Sequence, residues 1–132
     1  MAKYFFDAYA VIEIIKGNLN YTPYLDAEPI INNFTFAELY YYWFREKEIN
    51  AEDYVYKYSK SIVSVKPEWI IEAMKLRVEL KNRNVSVPDC VGYIMAKNLG
   101  IKFLTGDKEF EHFDNVEFIK WFGHRVLKDN WW

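Results

Sequence analysis

Glutamine is absent from the 132 residues, and cysteine, histidine, proline and glycine are sparse, at 1, 2, 4 and 5. The single cysteine, Cys90, cannot close an internal disulfide, so the expected setting is a reducing cytoplasm. The two histidines, His112 and His124, have no spacing partner of the kind that builds a zinc site or a nucleophile–base pair. No run approaches the roughly 18 uninterrupted apolar residues of a membrane span, and the opening Met-Ala-Lys-Tyr-Phe-Phe-Asp is too short and too soon charged for a signal peptide. Charge of one sign is lacking too: 17 basic against 19 acidic residues give a net charge of -2, which excludes a polycation that coats nucleic acid without regard to sequence. Missing glutamine, together with frequent Lys, Glu, Ile and Tyr, is compatible with a thermophilic source.

What is present is apolar and aromatic. Hydrophobic residues make up 52% of the chain, enough for a folded domain of this length without disulfide or metal staples. Aromatics reach 20%, with 5 Trp, 11 Tyr and 10 Phe, more than one small core readily buries, so a protein interface is expected. Tyr40-Tyr41-Tyr42-Trp43 and the set Tyr54, Tyr56 and Tyr58 are the candidates for it. Few Lys or Arg interleave with these rings, which favours helix packing or a protein partner over base stacking.

Periodicity predicts alternating strands and helices. Lys3 to Phe6 reads as a buried strand, and Ala8 to Lys16 as a helix closed by Gly17. A short helix over 21–26 and a strand over 29–32 follow. Thr35-Phe-Ala-Glu38 has the spacing of a capping box and opens a predicted helix to about Lys47. A helix over 51–59, a β-branched strand over 61–65 and a helix from Pro67 to about Lys81 come next. Ser86-Val-Pro-Asp89 starts a helix ended by Asn98 and Gly100, then a strand over 101–105, a turn at Gly106-Asp107, a short helix over 108–112 and a strand over 116–119. The alternation predicts an α/β three-layer sandwich, with a central mostly parallel sheet of about 4–5 strands flanked by helices. Residues 1–120 are expected to form one domain, with 121–132 as its aromatic and basic C-terminal extension, able to dock on the domain or on a partner.

Four acids fall at strand-to-helix junctions: Asp7, Glu38, Asp89 and Asp107. Each has a structural explanation. Asp7 and Asp107 suit helix caps, and Glu38 and Asp89 suit capping boxes with Thr35 and Ser86. Jointly they suggest more, because sites in parallel sheets assemble beyond the carboxyl ends of the strands. Gathered carboxylates repel one another, a divalent cation removes the conflict, and all-oxygen ligands select magnesium or manganese over zinc. Capping and metal binding are compatible, since a helix N-terminus favours the ionised carboxylate.

Tyr4-Phe-Phe-Asp7-Ala-Tyr-Ala-Val-Ile, Thr35-Phe-Ala-Glu38-Leu, Val87-Pro-Asp89-Cys-Val-Gly-Tyr-Ile-Met-Ala96 and Phe103-Leu-Thr-Gly-Asp107-Lys-Glu-Phe110 together resemble the PIN-domain ribonucleases, in particular the VapC-type toxins of toxin–antitoxin pairs. The last two segments carry most of the likeness, through the order Asp, helix, Asn-Leu-Gly, strand, Thr-Gly-Asp-x-x-Phe. The resemblance implies a metal-dependent endoribonuclease in which Asp7, Asp89 and Asp107 hold Mg²⁺ or Mn²⁺ and Glu38 completes the cluster, with Thr105 as a supporting hydroxyl. It also implies an RNA substrate, a homodimer and an antitoxin protein that blocks the site. Ala8 departs from the family, which usually has Ser or Thr there, and Cys90 stands where a small residue such as alanine is usual. Lys108 is placed to approach a phosphate or to stay in solvent. Two rival readings remain: a PIN-like module that binds RNA or protein without cutting, and a phosphotransfer domain. The second lacks its groups, for Tyr9 occupies the position where a haloacid-dehalogenase-type phosphatase needs a second Asp.

Overall fold

The computed structural model describes residues 1–120. The C-terminal extension expected over 121–132 lies outside the described residues. Four short strands, β1 (Lys3–Phe6), β2 (Glu28–Ile30), β3 (Lys102–Thr105) and β4 (Val116–Phe118), form one sheet in the order β2-β1-β3-β4, with every pairing parallel. Phe5 pairs with Ile30 on one side and Phe103 on the other, and Phe6 pairs with Leu104, so the two central strands are apolar on both faces. That is what burial between two helical layers demands.

Five helices supply those layers: α1 (Ala8–Lys16), α2 (Asn33–Arg45), α3 (Ala51–Lys57), α4 (Pro67–Glu79) and α5 (Val87–Leu99). The side chains of Phe6 and Leu104 enter one core with α1, α2 and α3, which contribute Val11, Ile12, Leu39, Trp43 and Val55. Those of Phe5 and Phe103 enter a second core, on the opposite face, with Trp69 and Ala73 of α4 and Val91, Ile94 and Met95 of α5. The three-layer α/β sandwich read from the periodicity is the observed architecture, with four strands.

The fifth predicted strand, over 61–65, is not formed. Ser59–Ser61 closes into a 3₁₀ turn, and only a single parallel bridge, Ile31 to Ile62, extends the sheet edge. Ile62, Val63 and Val65 are half-buried and pack against the cores, so their β-branched side chains serve packing without a ladder. The short helices expected over 21–26 and 108–112 are 3₁₀ turns, at Leu19–Tyr24 and Lys108–Phe110. The capping-box expectation at Thr35 also needs correction. Asn32 caps α2, its Oδ1 accepting from the Thr35 N–H at 2.9 Å and from the Thr35 hydroxyl at 3.2 Å. Thr35 is therefore the third residue of the helix, and Glu38 the sixth.

Much of the aromatic excess is internal. Tyr42 and Trp43 are buried, and Phe103, Phe110, Phe113 and Tyr93 form one cluster of edge-on and tilted rings with centroids 5.1–6.0 Å apart. Phe44, Ile49 and Tyr56 remain exposed around α2 and α3. No helix among the described residues is long and apolar enough to cross a membrane.

Gly92 brings α5 close over β1 and β3. A Cβ there would lie 2.8 Å from Phe5 Cε1 and 3.0 Å from Phe103 Cε1, against rings already packed on each other at 5.9 Å. Alanine is worth about 1 kcal/mol more than glycine inside a helix, while overpacking costs about 1–3 kcal/mol. Gly92→Ala is expected to lower the urea midpoint of unfolding, with a net destabilisation of up to about 2 kcal/mol; a raised midpoint contradicts this packing.

Candidate active site

Chain connectivity puts the helix starts at one edge. From β1 the chain passes through α1 to β2, on one flank, whereas β3 lies on the other flank and is entered from α5. The β1–β3 boundary is thus the point where connections diverge, and the space beyond its carboxyl end is where ligands settle in open α/β sheets. Asp7 ends β1, and Thr105 to Asp107 end β3, directly at that boundary.

Local hydrogen bonds lock these residues. The Asp7 N–H donates to the Leu104 carbonyl at 3.1 Å, tying it to the neighbouring strand, and its Oδ1 accepts from the Ala10 N–H at 2.8 Å as the cap of α1. The Thr105 hydroxyl donates to Asp7 Oδ2 and accepts from the Asp107 N–H at 3.0 Å. Asp107 Oδ1 in turn accepts from the Glu109 N–H at 3.0 Å, capping the 3₁₀ turn. Asp89 makes the expected capping box, its Oδ2 accepting from the Ser86 N–H at 3.0 Å while Ser86 Oγ accepts from the Asp89 N–H at 3.2 Å. Pro88, lacking an N–H, fits the first turn of α5.

Glu38 is placed differently from the other three. With Asn32 as the cap, it stands more than a turn inside α2, and the capping-box explanation for this acid no longer applies. It is nevertheless 5% exposed, comparable to Asp7 at 5%, Asp89 at 6% and Asp107 at 2%. Four carboxylates excluded from water is a costly arrangement unless something compensates the charge. α2 starts directly after β2, and α5 feeds directly into β3, so the starts of both helices lie on the same edge of the sheet as Asp7 and Asp107. A further link between them is the Asn32 amide, which donates to the Met95 sulfur of α5 at 3.7 Å.

The donor set suits a hard, oxygen-seeking cation. The neighbouring thiol, Cys90, is fully buried, and that burial pushes it up to about 12, opposed by Arg77, so it is a neutral packing residue. Among the described residues, no three His, Cys, Asp or Glu side chains are gathered as a ready-made cage for a metal ion. Magnesium does not need one, because it commonly takes one or two carboxylates and completes its shell with water and substrate phosphate. Lys108 is exposed beside Asp107, and His112 is exposed near Glu111; His124 lies outside the described residues.

Sequence reasoning missed three residues here. Asn32 carries a legible signal, since it precedes Thr35 by the three residues that separate a cap from the N–H it accepts. Buried Glu13, which accepts from Asn18 Nδ2 at 2.7 Å, and fully buried Tyr21 carry none, because their burial depends on how the segment after α1 folds back.

The chain matches the family model described as PIN domain over residues 4–116. Its fold is similar to that of a chain in the solved structure of a toxin–antitoxin complex from Klebsiella pneumoniae, with a TM-score of 0.69 over 89% of this chain and 96% of that one. At 19% identity that likeness is one of fold. No curated protein matches this chain.

Thr105 is the test of the edge. Valine has the same shape without the hydroxyl, and would remove the donor to Asp7 and the acceptor for Asp107 together. Thr105→Val is expected to destabilise the fold by about 2–3 kcal/mol, as for buried hydrogen bonds to charged groups, and Thr105→Ser to retain most of that. Equal denaturation midpoints for Thr105→Val and wild type would contradict this assignment.

Proposed function

The chain belongs to the PIN-domain family, and on that premise we propose that it is a metal-dependent endoribonuclease that hydrolyses RNA phosphodiester bonds as the toxin of a toxin–antitoxin pair. One observation carries this reading: Asp7 and Asp107 are buried and held by Thr105 and backbone N–H groups at the sheet edge where the connections diverge, and Glu38 and Asp89 are equally buried.

Asp7, Asp89 and Asp107 would hold one or two Mg²⁺ or Mn²⁺ ions, directly or through water, and Glu38 would complete the set. When bound, such an ion lowers the pKa of water and neutralises charge that builds on a phosphate under attack. The chain's own part is positioning. Thr105 fixes the Asp7 carboxylate from the neighbouring strand, which supplies a hydroxyl to this acid although position 8 is alanine. The capping N–H groups hold Asp7, Asp89 and Asp107 in fixed directions, so little reorganisation accompanies binding. Exposed Lys108, at the rim, is free to meet a substrate phosphate.

The partner proposals rest on surface and fold. An antitoxin is suggested by the toxin–antitoxin complex whose fold this chain shares, and a homodimer by apolar side chains left in solvent, such as Phe44 and Ile49, and Ile71 and Val78 on α4. A cytoplasmic setting, with a reduced Cys90, accompanies that reading.

A second reading, binding of RNA or protein without cleavage, draws on Ala8, which carries no hydroxyl beside the first acid. Cleavage assays separate the two. RNA should be cut with Mg²⁺ or Mn²⁺ and spared with EDTA, and Asp89→Asn should slow cutting by at least about 100-fold, as for loss of one charge-stabilising group. Cleavage that survives both treatments contradicts the mechanism, and RNA binding without cleavage at millimolar metal supports the second reading.

A further inference from the structure

Asp89 and Asp107 lie on separate stretches of the chain, and Arg83 joins those stretches. Helix α4 ends at Glu79, and the loop from there to the α5 cap, Ser86, carries Arg83 three residues before that cap. Arg83 Nη1 donates to the Glu109 carbonyl at 2.7 Å. Its guanidinium carbon lies 5.4 Å from the centre of the Phe113 ring, a cation–π contact that holds the side chain over the 3₁₀ turn. The Asn84 N–H adds a longer bond, 3.4 Å, to Glu109 Oε2. An exposed arginine usually keeps its guanidinium in water; this one commits it to a main-chain carbonyl and a ring.

Glu109 is also the residue that meets Asp107. Its N–H donates to Asp107 Oδ1 at 3.0 Å, and the next N–H, that of Phe110, donates to the Asp107 carbonyl at 3.0 Å. The Glu109 carbonyl and the Phe110 N–H belong to one planar peptide group. That plane is held at both ends, by Arg83 at its oxygen and by Asp107 at its nitrogen. A donor at the oxygen polarises the group and strengthens the bond made by the N–H. The far end of the same connection is fastened to α5. Phe110 packs 5.6 Å from Tyr93, and the Tyr93 hydroxyl donates to Asp114, whose Oδ2 lies 3.5 Å from Lys97 Nζ. Arg83 fastens the end next to Asp107.

We propose that Arg83 is a positioning residue for Asp107, acting through the Glu109 peptide groups and fixing the turn that carries Asp107 to the segment that carries Asp89. The effect on metal rests on the nuclease reading; the chain of hydrogen bonds does not.

Arg83→Met keeps an aliphatic stem and removes the donors and the charge. The side chain is exposed, so the variant is expected to fold. In metal-free protein, amide exchange at Glu109 and Phe110 should quicken about 5-fold, as for loss of one supporting hydrogen bond, while the amides of Val91 to Ala96 in α5 keep their wild-type rates. Mn²⁺, measured by calorimetry, should bind about 10-fold more weakly, as when a supporting partner of a metal ligand is lost. The sign is decisive, because removing a nearby positive charge would by itself tighten the binding of a cation. Lys81→Met removes an equal charge two residues away and should leave both readouts at wild-type values; an effect equal to that of Arg83→Met would overturn the assignment. Unchanged exchange overturns the tie to Glu109, and unchanged or tighter Mn²⁺ binding overturns the positioning role. Weaker RNA binding with both readouts unchanged would make Arg83 a substrate contact instead. Failure of the wild type itself to bind Mn²⁺ counts against the proposed function, and the exchange rates still decide the tie.

Discussion

The Thr105 hydroxyl, donating to the Asp7 carboxylate and accepting from the Asp107 N–H, is the contact on which the carboxylate edge depends. It spans the two central strands at the point where the chain's connections part, and it fixes the side chain at the end of one strand to the backbone after the other. A parallel sheet leaves the groups at its carboxyl edge without ladder partners, and here that edge is closed by side chains instead. Each of the three capping acids satisfies N–H groups at the start of a turn or helix, so the hydrogen bonds that terminate the strands and start the helices are the same ones that orient the acids.

Economy of this kind blurs the line between a structural carboxylate and a functional one. A cap needs one oxygen, and can leave the rest of the carboxylate for another task. Burial of all four acids is harder to account for as capping alone, because exposed caps work as well and escape desolvation. Glu38 sharpens the point. Its expected role as the partner of Thr35 is gone once Asn32 takes the cap, yet it remains as buried as the others. A glutamate kept from water in a helix interior is not explained by capping, so its charge has to be met by the groups around it.

Much of this was legible in the chain, and the limits of legibility have identifiable causes. The strands at 3–6 and 102–105, the helices that follow Asp7 and Ser86, and the left-handed endings at Gly17 and Gly100 came from local signals that nothing remote competes with. The capping box at Ser86 and Asp89 was readable because both partners lie in one turn. Its apparent counterpart at Thr35 and Glu38 has the same spacing, but an asparagine three residues upstream competes for the same N–H and wins. The strand expected over 61–65 failed for another reason: β-branched residues report burial as much as pairing, and here a 3₁₀ turn leaves room for one bridge only. The burial of Tyr21 was invisible, since a tyrosine in a polar turn shows nothing of how the segment after α1 folds back. Four acids in order suggested a site; only the fold separated those with a capping role from the one without.

Where a cation binds is the decisive question for this carboxylate edge. The most direct measurement is the anomalous scattering of Mn²⁺ in crystals of the protein equilibrated with millimolar manganese. A peak at the carboxyl edge of β1 and β3, within coordination distance of at least one of Asp7, Glu38, Asp89 and Asp107, is the expected result. No peak there, or one only at unrelated surface carboxylates, would contradict it.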